Sequence, residues 1–77
     1  MKDKNFVRIQ YTIFKSAVAG LKGASNVWGL RMVHDMYYGY VFYSYFYGNL
    51  PHDMFVYLSR KIGACYDYYL KRLESEV

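Results

Sequence analysis

Apolar positions recur with the period of a helix in three stretches of the chain. At about 100° per residue, Phe6, Val7, Ile9, Ile13, Phe14, Ala17, Val18 and Leu21 share one broad arc. Lys4, Arg8, Thr12, Lys15 and Lys22 occupy the opposite side. Such a division predicts an amphipathic helix over about 4–21. Gln10 interrupts it, falling in the middle of the apolar arc. An unpaired buried amide costs about 1–3 kcal/mol, so Gln10 is expected to bond to a neighbouring helix or to a partner.

Gly20, Gly23 and Ser25 mark the first break. Gly20 or Gly23 suits a left-handed C-cap, and Ser25 or Asn26 suits the N-cap of the next helix. That helix is predicted over about 27–47. Its early part mixes Leu30, Met32, Val33, Met36 and Tyr37 with Arg31, His34 and Asp35. Its later part, Tyr37 to Tyr47, puts aromatic residues on every side. Tyr and Phe also favour strands, and Tyr40–Tyr47 could pair with Met54–Leu58 as a hairpin. The helix is preferred because the segment lacks two-residue alternation.

The second break is Gly48-Asn49-Leu50-Pro51, with Gly48 read as a C-terminal cap, Asn49 as an N-cap and Pro51 in a first helical turn. A third helix follows over about 50–74. It is expected to bury Phe55, Leu58, Ile62, Cys65, Tyr66, Tyr69 and Leu73, and to pair Asp67 with Lys71 at i, i+4. So short a link predicts an antiparallel αα-hairpin. The fold class is therefore all-α: a small three-helix bundle, with residues 1–77 forming a single helical domain.

Size bears on how such a bundle is stabilised. A 77-residue chain buries only about 60% of its unfolded surface, and small domains often add disulfides, metals or self-association. Cys65 is the only cysteine, and no ligand spacing of a metal site occurs. Self-association, or completion on a partner, thereby gains weight. The single thiol, the absence of a signal-peptide core and the lack of an apolar run of about 20 residues lead to the expectation of a soluble, cytoplasmic protein.

Enzyme chemistry finds no foothold. Nucleophilic catalysis needs a nucleophile, a base and an orienting group together. Cys65 falls on the core stripe. His34 and His52 each neighbour an aspartate in sequence, Asp35 and Asp53, and neighbours on a helix point in different directions. His34 is expected to stack on Tyr38, one turn later. The glycines are dispersed and form no phosphate loop. No catalytic residue, cofactor or metal is expected. Gly29, Gly39 and Gly63 lie inside helices, where each costs roughly 1 kcal/mol, and are expected to permit close approach of a helix or ring.

Three surfaces remain as candidates. Lys4, Arg8, Lys15 and Lys22 form a basic stripe suited to an anionic partner, within a net charge of +4 that is concentrated in the first half. Tyr57, Lys61, Tyr68 and Arg72 form a line of alternating aromatic and basic groups, fit for stacking on bases or for a protein hot spot. Tyr38, Phe42 and Tyr45 would stand exposed in a monomer, and tyrosine offers large contact area at low entropy cost. These features favour a non-catalytic protein–protein interaction module that binds a larger protein or nucleoprotein. Small inhibitors and regulators, such as those encoded by phages and mobile elements, are one natural class. The alternative is a basic helical nucleic-acid-binding protein, although no recognised nucleic-acid motif is present. A homodimer stays open, and a membrane-surface role ranks last.

Overall fold

The computed structural model describes residues 4–75. Lys2, Asp3 and Glu76, which enter the charge balance, lie outside them. Three helices account for the described fold: α1 (Lys4–Gly23), α2 (Val27–Phe46) and α3 (His52–Ser75). Tyr37–Phe46 is helical, so the hairpin alternative falls away.

The contacts define an up-down-up bundle. Gln10 meets Tyr40, Phe14 meets Tyr37, and Gly20 lies beside Val33, so α1 and α2 run antiparallel. Tyr45 meets His52, Phe42 meets Phe55, and His34 meets Tyr66, which makes α2 and α3 the expected antiparallel hairpin. Helices α1 and α3 therefore run parallel, on the far side of the bundle from the outer face of α2.

Local chemistry explains the helix ends. Asn26 adopts extended backbone (φ −151°, ψ 168°), and its Oδ1 accepts from the Gly29 N–H at 2.7 Å, capping α2. At the other end Asn49 N–H donates to the Ser44 carbonyl at 2.8 Å, and Gly48 N–H donates to the Tyr45 carbonyl at 3.0 Å. This is the Schellman arrangement, and it needs Gly48 in the left-handed region, at φ 78°. Leu50, just beyond it, drops into the core.

Three local expectations are corrected. Neither Gly20 nor Gly23 is left-handed, because α1 continues through both. Gly20 serves close packing instead: a Cβ there would sit 3.1 Å from Val33 Cγ1. Helix α3 begins at His52 rather than Leu50, with the Pro51 carbonyl accepting its first bond from the Phe55 N–H at 2.9 Å. Asp67 and Lys71 are both exposed and do not close into an ion pair; the one salt bridge among the described residues is His34–Asp35.

The core is small. Leu21, Leu30, Tyr37, Val41, Leu50, Leu58 and Ile62 are its buried apolar residues. Half-buried Phe6, Ile13, Phe14, Phe55, Cys65, Tyr66, Tyr69 and Leu73 pack around them, as the periodicity of α1 and α3 requires. Val7 and Ile9, at the two edges of the α1 arc, are exposed.

Candidate interaction surfaces

Gln10 is the only buried polar residue among those described, and its amide is answered from α2. Its Nε2 donates to the Tyr40 hydroxyl at 3.2 Å. The hydrogen bond to a neighbouring helix expected from the sequence is the one found. Tyr37, also buried, has no partner for its hydroxyl. Burial, with Tyr40 nearby, pushes that hydroxyl up to about 12.

The histidines are tied into aromatic and polar contacts. His34 stacks on Tyr38 with the rings 5° from parallel, as expected. Its Nδ1 also lies 3.0 Å from Asp35 Oδ1, contrary to the expectation that these neighbours diverge; the two side chains bend toward each other at the surface. His52 Nδ1 lies 3.0 Å from the Tyr45 hydroxyl, while Asp53 turns back to accept from the Met54 N–H at 2.8 Å. Among the described residues, no three His, Cys, Asp or Glu side chains converge as metal ligands do.

The basic stripe belongs to α1 and the aromatic–basic line to α3, and the two helices run parallel. Lys4, Arg8, Lys15 and Lys22 are exposed on α1, and Tyr57, Lys61, Tyr68 and Arg72 are exposed on α3. Between them lies a cleft of about 400 Å³ lined by Val7, Gln10, Tyr11, Phe14, Met54, Tyr57, Leu58 and Lys61. Lys15 Nζ sits 5.3 Å from the Tyr11 ring centre and Lys61 Nζ 5.9 Å from that of Tyr57. At the other end Lys22 and Arg72 line one small depression.

The Tyr38–Phe42–Tyr45 side is less free than the sequence suggests. Helix α3 reaches over it with Phe55, whose ring stacks on Tyr45 at 4.4 Å and contacts Phe42 and Tyr38 at 6.5 and 6.4 Å. Tyr38 and Phe42 remain exposed at the margin. Tyr45 is half-buried and belongs to the packing around the core, which corrects its assignment as an exposed contact residue.

The surface that sequence reasoning missed is the outward face of α2. Trp28, Met32, Met36, Tyr43 and Phe46 are 72%, 41%, 70%, 64% and 68% exposed. At about 100° per residue they lie within roughly 80° of one another, facing away from Leu30, Tyr37 and Val41. Gly39 falls in the middle of this face, and a Cβ there would meet nothing within 4 Å. Arg31 and Asp35 stand beside it and with Trp28, Met32 and Met36 line a shallow trough of about 410 Å³. One signal for this face was present in the sequence: a helix apolar on all sides must leave part of its apolar surface uncovered in a bundle of three.

No protein-family model, no curated protein and no solved structure matches this chain. Among the described residues no helix is long and apolar enough to cross a membrane.

Proposed function

We propose that this protein is a non-catalytic interaction module that works by protein–protein contact through the outward face of α2. The observation that carries this reading is the exposure of Trp28, Met36, Tyr43 and Phe46 along one face, with Arg31 and Asp35 at its edge. Large apolar patches on small soluble domains mark interaction sites, and Trp and Tyr are the residues that dominate hot spots. Small inhibitors and regulators work in this way, by occupying a surface of a larger protein or nucleoprotein.

Immobilised protein incubated with extract of its native host, with and without nuclease, tests the reading. An untagged copy of the chain is included in the extract. Wild type retains protein after nuclease treatment, and Met36→Glu retains none. Equal retention by both would remove the α2 face from the account.

A second reading is favoured by the exposed Tyr57–Lys61–Tyr68–Arg72 line beside the basic stripe of α1. That side suits an anionic partner, with rings for stacking and cations for phosphates. Were it a nucleic-acid site, affinity for oligonucleotides would fall steeply with salt, because phosphate contacts release counterions. Binding that is absent or insensitive to salt removes this reading.

A further inference from the structure

The outward face of α2 reads nearly the same in both directions. From Trp28 the outward positions follow through Met32, Met36, half-buried Gly39 and Tyr43 to Phe46 at spacings of four, four, three, four and three. A face of this kind can meet a copy of itself about a two-fold axis, since two-fold contacts require one patch to be complementary to itself. We propose that the occupant of this face is a second copy of this chain, with the two α2 helices antiparallel and the axis between Met36 and Gly39. This rests on the reading of the face as a docking surface and names what docks there.

That register matches large groups with small and aromatic with aromatic. Trp28 lies against Phe46 of the second copy, Met32 against its Tyr43, and Met36 against its Gly39. The last pairing gives a role to Gly39, which with Gly63 is one of two mid-helix glycines where a Cβ would meet nothing in the isolated chain. A mid-helix glycine costs about 1 kcal/mol relative to alanine, yet no group of this chain comes within 4 Å of where its Cβ would stand. A crossing helix would use that space, because missing side chains let helix axes approach toward the lower end of about 8–10 Å.

Area and charge agree with this occupant. With Tyr47, which is 66% exposed at the C-terminal end, the exposed parts of these four rings and two methionines offer roughly 600–900 Å² at some 150–250 Å² per large side chain. A stable interface needs about 800 Å² per partner. Helix α2 carries Arg31 and Asp35 at the edge of the face, one of each sign. The cations Lys4, Arg8, Lys15 and Lys22 lie on α1, which carries no acid, so pairing through α2 leaves the two positive stripes on the outer sides.

Sedimentation equilibrium of the full chain from about 1 to 100 µM, the range over which micromolar pairing switches, tests the proposal. Wild type should reach twice the chain mass. A Cβ at Gly39 meets nothing in the isolated chain, so Gly39→Leu should keep its helical circular dichroism while raising the dissociation constant at least about 10-fold. Lys15→Glu, on the opposite side, should pair like wild type. A single-chain mass at every concentration overturns the second copy as occupant, and so does Gly39→Leu pairing as tightly as wild type. If the chain is monomeric and Met36→Glu still loses protein retained from host extract, the second copy fails and the docking face stands. If Met36→Glu alters neither mass nor retention, both fail.

Discussion

Gln10 and Tyr40, thirty residues apart, join α1 to α2 through the one side-chain amide buried in the core, at 3.2 Å. The bond fixes the register of the two helices, since sliding either by one turn would leave the amide without a partner. Tyr40→Phe should destabilise the fold by about 1–3 kcal/mol, the cost of an orphaned buried polar group. Adding Gln10→Leu should recover much of that loss, because both halves of the pair are then apolar. Chemical denaturation of the two single variants and the double variant measures the coupling; strictly additive effects would show that the bond contributes nothing.

Glycines divide by what surrounds them. At Gly20 a Cβ would press on Val33 at 3.1 Å, whereas at Gly63 it would meet nothing within 4 Å. Gly63→Ala should therefore raise stability by about 0.5–1 kcal/mol through helix propensity alone. Gly20→Val should lower it by about 1–3 kcal/mol, the usual cost of overpacking. Thermal melts of the two variants, expected to move in opposite directions, check this.

Tyr37 gives the fold an alkaline limit. Its hydroxyl, pushed up to about 12 from 10.0 by burial and then by Tyr40, holds its proton more tightly in the folded chain than in the unfolded one. The associated stability is intact below pH 10 and is lost as pH rises toward 12. Tyr37→Phe should flatten that loss. At neutral pH it should also add about 1 kcal/mol, because the hydroxyl it removes has no partner. Melting temperatures from pH 7 to 11 report both effects.

Tyr45 should behave as a structural residue. Its ring stacks on Phe55 at 4.4 Å, and its hydroxyl meets His52 at 3.0 Å. Tyr45→Ala should cost about 2–4 kcal/mol of folding free energy, in the range of large-to-small changes in packed sites. Trp28→Ala, on the open face, should change the folding of the isolated chain by no more than about 0.5 kcal/mol. Urea unfolding at low protein concentration separates the two.

The architecture was legible because α1 and α3 each carry a polar side that orients them. Lys4, Arg8, Lys15 and Lys22 mark the solvent side of α1, and Leu58 and Ile62 fall on the core stripe of α3. Helix α2 offers no such guide after Asp35: Tyr38, Phe42, Tyr43 and Phe46 look alike in a sequence, and only the position of Phe55 on α3 decides which of them are covered. The sequence therefore points to the Tyr38–Phe42–Tyr45 side, rotated from the open one. Met32 and Met36 read in sequence as apolar residues of a conventional helix, yet both face solvent. Gly39 was expected to admit a neighbour within the chain, and its space is open.

Trp28 is the only tryptophan, and it stands at the N-terminal end of the outward face of α2. Its fluorescence therefore reports directly on whether that face becomes covered. As the protein concentration is raised, emission should shift to shorter wavelength, and Met36→Glu should hold it at the position of a solvated indole. Emission that stays at the solvated position for wild type at every concentration would contradict the pairing of two copies through this face.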